Sequence, residues 1–308
     1  MELDRSEQAN FMAQIQTGRE LASAADYQVC RQIMRSASKN YSFASTFFPK
    51  ETLLHVEALY ALMRVGDDRV DVSHGGFSSA HQAIDDWEAC YWQAFENGES
   101  PHPVMRAYLN TAIQYRIPKE IMASYFRAMR EDLTIKRYLT FMDLLHYMEG
   151  SAMPVGRAMT YILGVRQPLL VEEVIPYADS LSIAMQLSNF WRDIGADWKR
   201  ERIYLPQEDM DHFKYDEEDL ATNRITNELI NLLEFQFLRT NQYYSDAKHG
   251  IKQLASGQWA VLCGLKVYQA ILGAIRGNRY DVFNRRAEPS TAHKIRLAFS
   301  SWWQASRL

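Results

Sequence analysis

Apolar residues recur along most of the chain at the intervals of three and four residues that place them on one face of an α-helix. No long segment alternates apolar and polar residues, and no Asn-Gly or Asp-Gly turn separates two β-branched runs. The pattern therefore predicts an all-α fold of about ten or more helices. Because neither an internal repeat nor a low-complexity linker is visible, residues 1–308 are predicted to form a single domain.

The sequence of residues 77–138 is typical of scaffold. Four aromatic residues recur there at helical spacing and predict buried core positions: Trp87, Tyr91, Trp92 and Phe95. Glu131 and Asp132 are predicted to be solvated, with a position facing a cavity as the alternative. Further along, Glu208, Asp209, Asp211 and His212 are predicted to lie in a polar loop without a functional role.

The C-terminal third is predicted to contain two long core helices, between residues 224 and 278. Its most apolar stretch, Trp259–Ile275, includes a lysine, a tyrosine and a glutamine, so a core helix is favoured over a membrane span. The last sixteen residues mix basic and aromatic side chains. That composition fits either an interfacial helix on a membrane surface or a terminal helix docked on the fold.

Composition and charge narrow the class of protein. Hydrophobic residues make up 47% and charged residues 23%, as in ordinary globular proteins. The net charge of −4 gives no basic field for nucleic acid, which is not expected as a partner. Cys30, Cys90 and Cys263 are far apart and predict reduced thiols, and the first fourteen residues are too polar for a secretory signal. A cytoplasmic location is predicted, with association to a membrane surface as an addition to it.

The first candidate site is a ladder of oxygen-bearing side chains, Asn189, Asp193 and Asp197, spaced by four residues. On a helix this spacing gives all three one direction, and hard oxygen ligands of this kind suit Mg²⁺. Apolar residues such as Phe190 and Trp191 stand between them, so the helix is predicted to be buried and the acids to need a counterion. The alternative is an acidic edge on an amphipathic helix.

A second acidic pair, Asp67 and Asp71, also has a spacing of four, with Asp68 between them and Arg64 one turn upstream. Acids are electrostatically unfavourable at the C-terminus of a helix, which is where a polar segment predicts this one to end. A bound cation would compensate for them. The alternative is a helix end frayed into a polar loop.

Two further features suit a site for a diphosphate ester. Arg200, Arg202 and Tyr204 follow the first ladder directly and could donate charge-assisted hydrogen bonds, although a basic surface patch remains the alternative. Between residues 146 and 164 a helical pattern is interrupted by Pro154 among small residues. A kink there would leave room for a ligand, or would serve only the packing of crowded helices.

These motifs together resemble the squalene and phytoene synthase family over roughly residues 38–287. GDDRVD, at residues 66–71, looks like the family's first DxxxD motif. NFWRDIGAD followed by RERIYLP looks like the second, and YDVFNRRA, at residues 280–287, is similar to a C-terminal signature of bacterial phytoene synthases. The resemblance implies an all-α isoprenoid (terpenoid) synthase fold around a central cavity. It also implies a two-step condensation of two prenyl diphosphates through a cyclopropylcarbinyl diphosphate.

The resemblance also implies roles for individual residues. Mg²⁺, with Mn²⁺ as a substitute, would be held by five residues: Asp67, Asp71, Asn189, Asp193 and Asp197. These residues and Tyr204 would form the catalytic set. The substrate would be bound by eleven others: Lys39, Tyr41, Tyr60, Arg64, Tyr147, Ala152, Val155, Gly156, Gln186, Arg192 and Arg202.

The chain departs from the family's pattern in three places, and two of the departures concern the substrate. Ala37 replaces a common histidine, and SAMPVGR, at residues 151–157, together with NFW, at residues 189–191, looks more like hydroxysqualene synthases. Ala196 replaces a common glutamate and is predicted to lie outside the metal shell. The leading hypothesis is a phytoene synthase that uses two geranylgeranyl diphosphates and needs no NADPH. The alternatives are a C30 enzyme that uses farnesyl diphosphate to make squalene, dehydrosqualene or hydroxysqualene, and a non-catalytic assembly or lipid-binding protein.

Overall fold

The structure is a computed structural model that describes residues 21–71 and 76–308. The N-terminal stretch judged too polar for a signal lies outside these residues. Within them the regular elements are helices, and the only strand-like feature is an isolated bridge between Val165 and Leu254. The all-α prediction is therefore confirmed.

The helices are α1 Ala24–Ala37, α2 Lys39–Ser45, α3 Lys50–Asp71, α4 Ala80–Asn97, α5 Pro103–Tyr115, α6 Ile121–Thr134, α7 Phe141–Ser151, α8 Met153–Leu163, α9 Val171–Trp198, α10 Gln207–Phe213, α11 Glu217–Thr222, α12 Asn227–Ile251, α13 Gln258–Gly277 and α14 Thr291–Ala305.

Local sequence signals set the ends of these helices. The Ser23 and Thr140 side chains cap α1 and α7 in capping boxes, each with an aspartate three residues on. Gly98 ends α4 in the left-handed conformation, with φ of 71°, which a residue without a Cβ adopts at little cost.

Two groups of helices surround the interior. In one, α9 packs against α12 and α13; in the other, α3 packs against α1, α4 and α5. Helix α8 contacts both α9 and α3, and its buried residues belong to both apolar cores. The space between the two groups is the cavity described below.

The predicted kink at Pro154 is instead a break between two helices, which corrects the prediction. Helix α7 ends at Ser151, Ala152 leaves the helical conformation with φ of −128° and ψ of −49°, and Pro154 lies in the first turn of α8. Proline is tolerated there because the first-turn N–H has no partner within the helix. A Cβ on Gly156 would lie 2.3 Å from Oγ of Ser182, so this glycine lets α8 and α9 approach closely.

Most of the scaffold predictions are confirmed. Trp87, Tyr91 and Phe95 are buried, while Trp92 is half-buried, and the two long helices of residues 224–278 are α12 and α13. Helix α13 is long and apolar enough by composition to cross a membrane, but half of it is buried against the fold, as expected for a core helix. All three cysteines are free thiols.

The predicted polar loop at residues 208–212 is wrong, because that segment forms the short helix α10. Asp209 is buried and accepts hydrogen bonds from Gln236 at 2.8 Å and Arg239 at 2.6 Å. These contacts fasten α10 to α12. Asp209 thus has a structural role, and no functional role was predicted for this segment.

Candidate active site

A cavity of about 540 Å³ lies between the two helix groups. Eleven of the residues implied by the family resemblance line it: Lys39, Tyr41, Tyr60, Arg64, Asp67, Ala152, Val155, Gly156, Gln186, Asn189 and Arg192. The other six do not line this cavity: Asp71, Tyr147, Asp193, Asp197, Arg202 and Tyr204. These six adjoin it at the end where the acidic residues gather, as the contacts below describe.

The cavity is long and narrow because one face of α9 forms a wall along much of that helix. Lining residues recur every three or four positions from Val174 to Asn189. At 1.5 Å of rise per residue these two positions are roughly 22 Å apart. Asn189 lies at the acidic end, and Val174 belongs to a small apolar cluster with Leu163 and Leu254 at the other. The cavity is therefore a tunnel with one polar and one apolar end.

The first acidic pair occupies the last two turns of α3. The Tyr125 hydroxyl lies 3.4 Å from Oδ1 of Asp67 and also donates to the Met63 carbonyl at 2.7 Å. Burial raises the pKa of Asp67 to about 7, an effect that Arg64 opposes and the nearby carboxylates of Asp71 and Asp132 reinforce. The crowding of negative charge makes this end of the tunnel a site that favours a cation.

Asp71 is paired with arginines from the segment after α9. Nη2 of Arg202 lies 2.9 Å from its Oδ1, and Nη1 of Arg200 lies 3.7 Å from its Oδ2. Arg202 is almost fully buried, whereas Arg200 is exposed. The two acidic motifs therefore face each other through these arginines.

The second acidic set, Asn189, Asp193 and Asp197, follows the last turns of α9. Nε of Arg192 lies 2.9 Å and Nε of Arg286 lies 3.0 Å from Oδ1 of Asp193. Burial by itself would raise the pKa of Asp193, but the hydrogen bonds from the two guanidinium groups bring it below its ordinary value. Asp193 is thus ionised at neutral pH.

Asp197, one turn further along α9, has no such hydrogen bond to an arginine. Burial, reinforced by the charge of Asp193, raises the pKa of Asp197 to about 7, although Arg200 and Arg202 oppose the shift. The second set therefore holds one firmly ionised carboxylate and one that is half-protonated near neutrality.

This donor set fits Mg²⁺. Oxygen ligands from two helices face one region, and four arginines pair with Asp71 and Asp193. Among the described residues no three acidic, histidine or cysteine side chains already converge closely enough to hold an ion. Mg²⁺ usually keeps several waters and shares substrate phosphates, so one or two carboxylates from each side suffice.

The raised pKa values predict a dependence of stability on pH and metal. Carboxyl groups with an ordinary pKa of 3.8 and a folded pKa of about 7 bind more protons in the folded state. Without metal, the melting temperature should therefore fall as the pH rises from about 5 to about 7.5, and Mg²⁺ should raise it most at the upper end.

Differential scanning fluorimetry of the wild type and of an Asp67→Asn, Asp197→Asn double variant measures this. The difference between the two curves of melting temperature against pH reports the titration of Asp67 and Asp197 separately from that of all other groups. A pH slope that is the same in both proteins would contradict the prediction.

An aromatic stack adjoins the acidic end. The rings of Phe190 and Tyr204 are stacked with centroids 3.9 Å apart, and Tyr138 and Tyr147 lie within 6 Å of Tyr204. The negative faces of such rings attract a cation. These four rings lie beside the cavity and are not among the residues that line it.

Sequence reasoning missed two residues of the site and gave a third only as an alternative. Tyr268 and Arg286 line the tunnel, and Arg286 belongs to the YDVFNRRA signature, for which no role of this residue was predicted. Asp132 was predicted to be solvated, with a position facing a cavity as the alternative. It is 7% exposed and adjoins the acidic end, so the alternative holds. Its helical spacing from the buried Tyr125 and Met129 on α6 could have revealed this.

Comparison with known proteins agrees with this site. The family described as squalene/phytoene synthase matches residues 34–293. A 15-cis-phytoene synthase of Synechococcus elongatus is 32% identical over 90% of this chain and 92% of its own, and one of Synechocystis sp. is 31% identical over 92% and 86%. Each of these comparisons therefore spans both acidic motifs and the tunnel.

Solved structures give the same result for the fold. A dehydrosqualene synthase superposes with a TM-score of 0.83 over 92% of this chain and 98% of its own, at 24% identity. A squalene synthase from Alicyclobacillus acidocaldarius, 30% identical, superposes with a TM-score of 0.73 over 83% and 95%. The predicted isoprenoid synthase fold is confirmed, and the chain is a prenyltransferase that belongs to the squalene/phytoene synthase family.

Proposed function

We propose that this prenyltransferase condenses two molecules of geranylgeranyl diphosphate to phytoene, a step of carotenoid biosynthesis, with Mg²⁺ as its metal. The observation that carries the proposal is the pair of facing acidic motifs at the polar end of a tunnel. The phytoene synthases of Synechococcus and Synechocystis support the choice of product, because their similarity extends over nearly the whole chain.

The chain's own residues would bind and orient the two diphosphates. Arg64, Lys39 and Arg192 are basic side chains that line the cavity, and Arg202 adjoins its acidic end. Mg²⁺ held by Asp67, Asp71, Asn189, Asp193 and Asp197 would supply further positive charge for the departing diphosphates. The apolar walls exclude water from the cations that form.

The reaction balances without an added reductant. The first condensation joins two prenyl units as a cyclopropylcarbinyl diphosphate and releases one diphosphate and one proton. Ionisation and rearrangement of that product release the second diphosphate, and loss of a proton gives phytoene. NADPH is therefore not expected to change the product, whereas squalene formation would require a hydride donor.

A product assay tests the proposal. Purified protein with Mg²⁺ is incubated with geranylgeranyl or farnesyl diphosphate, with and without NADPH, and the extract is identified by mass spectrometry. We expect a C40 hydrocarbon from geranylgeranyl diphosphate that NADPH leaves unchanged. Conversion of farnesyl diphosphate alone would contradict the proposal.

A C30 enzyme is the second candidate, because the SAMPVGR segment and Ala37 depart from the phytoene synthase pattern. The 30% identity to a squalene synthase favours it as well. A C30 product in the same assay would support this branch. A folded protein without any product would instead support the non-catalytic role in assembly or lipid binding.

We further propose a cytoplasmic location with attachment to an anionic lipid surface through α14. The inner side of α14 packs on the fold, where the Trp259 indole donates to the Ala298 carbonyl at 3.0 Å. Four large apolar side chains on the other side are at least half exposed: Ile295, Phe299, Trp302 and Trp303. Residues 289–308 carry two arginines and one lysine but no acid, in a chain of net charge −4. The terminal helix is thus docked, as one alternative predicted. Lys294 is buried, so the exposed Arg296 and Arg307 would supply the charge that anionic lipid attracts.

Vesicle sedimentation tests this attachment. Wild type should bind phosphatidylglycerol vesicles more than phosphatidylcholine vesicles, and a Phe299→Gln, Trp302→Gln variant should bind at least about tenfold more weakly. Leu238→Gln, which changes an exposed leucine on α12, serves as the matched control. Binding that is equal in all three proteins would contradict the role of α14.

A further inference from the structure

Asp132, in the last turn of α6, is a buried carboxylate that the proposed chemistry does not use. It is 7% exposed, and its Oδ1 has no hydrogen-bond partner in the structure. Its Oδ2 lies 4.0 Å from Nη2 of Arg202. A buried carboxylate with an unused oxygen is costly, so one that faces an active site calls for a functional explanation.

Arg202 lies between this carboxylate and the first acidic pair. The same Nη2 that is 4.0 Å from Asp132 is 2.9 Å from Oδ1 of Asp71. It is also 3.5 Å from the backbone carbonyl of Asp132. The Arg202 guanidinium therefore lies near two carboxylates. That of Asp71 is a candidate metal ligand, and that of Asp132 is not.

A divalent cation at Asp71 would compete with Arg202 for the same carboxylate. A guanidinium that loses its partner in a buried position must find another acceptor, because leaving it unpaired is strongly unfavourable. Asp132 provides one at a short distance, with one oxygen still without a partner. Arg202 can then leave Asp71 without leaving the site.

We propose that Asp132 is a positioning residue that takes over Arg202 when a divalent cation binds Asp71. Held by Asp132, the guanidinium stays beside the acidic end, where it meets a diphosphate oxygen. Asp132 thereby lowers the free-energy cost of metal binding without touching the metal. The inference rests on the proposed metal site at Asp71, and its test separates the two.

The test measures binding of Mn²⁺ in the presence of inorganic pyrophosphate, by the loss of the free-ion signal in electron paramagnetic resonance. No prenyl substrate or turnover is needed. In Asp132→Asn, which keeps the shape of the side chain, the dissociation constant for Mn²⁺ should rise about 10- to 100-fold, the usual loss when a residue that orients a metal site is removed. Glu131→Gln makes the same change of charge one position away, where Glu131 pairs with Arg127, and should bind as the wild type does.

The Arg202→Gln background shows whether Asp132 acts through Arg202. If it does, adding Asp132→Asn to Arg202→Gln should have no further effect on the dissociation constant. An equal loss in both backgrounds would mean that Asp132 acts on the metal directly and would overturn the proposal. A lower melting temperature with unchanged Mn²⁺ binding would also overturn it, since it indicates a packing role.

Three further outcomes keep the test decisive. Asp132→Glu, which retains the charge, should bind Mn²⁺ comparably to the wild type. If Asp132→Asn does not fold, this variant takes its place, and weak binding by folded Asp132→Glu would contradict the proposal. Failure of the wild type itself to bind Mn²⁺ would overturn the metal site and with it this role of Asp132. Normal wild-type binding with no effect of Asp132→Asn would overturn the role of Asp132 alone.

Discussion

Asp193→Asn is expected to lower turnover about a thousandfold or more, the largest effect of any single substitution in the site. Asp193 is the middle member of the ladder on α9, and two guanidinium groups keep it ionised in a half-buried position. An amide there would lose the negative charge that a metal ion needs, while keeping the size of the side chain. The metal would no longer be held against the departing diphosphate, so the C–O bond would not ionise.

The measurement is consumption of geranylgeranyl diphosphate, with circular dichroism and thermal melting on the same samples. Asp85→Asn provides the control, because Asp85 is an exposed acid on α4 that pairs with Arg130 far from the tunnel. Helix content should be the same in all three proteins. Near-normal turnover in Asp193→Asn would remove this residue from the metal site.

The parts of the site that could be predicted from sequence lie within single helices. Residues four positions apart share a face whatever the rest of the fold does, so the ladder of Asn189, Asp193 and Asp197 and the pair on α3 were visible as patterns. Helix α9 runs without interruption through Trp198, and α3 extends to Asp71, the last residue described before the gap at residues 72–75.

Contacts between helices could not be predicted in the same way. The pairing of Arg202 with Asp71 and of Arg286 with Asp193 joins residues more than ninety positions apart, and it depends on how separate segments pack. Asp132 shows the same limit, since the sequence predicted a solvated position, or one facing a cavity as the alternative, and gave no partner for it. The break at Ala152 was missed because a proline in the first turn of a helix and one inside a helix look alike in sequence.

The apolar end of the tunnel was also beyond sequence analysis, because residues from five segments close it. Leu163, Val174 and Leu254 form a buried cluster against which Phe48 and Val261 pack. A Cβ on Gly257 would lie 2.8 Å from Cε1 of Phe48 and 2.7 Å from Cδ2 of Leu163, so nothing larger than glycine fits beside them. This end is therefore tightly packed, and under the proposed function its position would limit the length of a prenyl chain.

Val261→Phe is accordingly expected to change the preferred substrate. The larger ring would extend from the closed end back into the tunnel and take the place of the last isoprene unit. Turnover of geranylgeranyl diphosphate relative to farnesyl diphosphate should fall about a hundredfold, since a clash in a rigid apolar pocket is costly while the shorter chain never reaches it.

In the opposite direction, Phe48→Ala should admit a chain longer by one isoprene unit, with some loss of thermal stability from the cavity it leaves.

The ratio of the two turnover rates, measured in competition, separates this effect from a general loss of activity. Val29→Phe, at a half-buried valine on α1 away from the tunnel, controls for the strain of a larger side chain. An equal loss with both substrates would show that the ring disturbs the acidic end instead. A changed ratio would mean that the length of prenyl chain accepted depends on the distance from the proposed metal-binding residues of α9 to this cluster. That distance is roughly 22 Å along the helix. Substrate choice would then depend on residues that neither acidic motif contains.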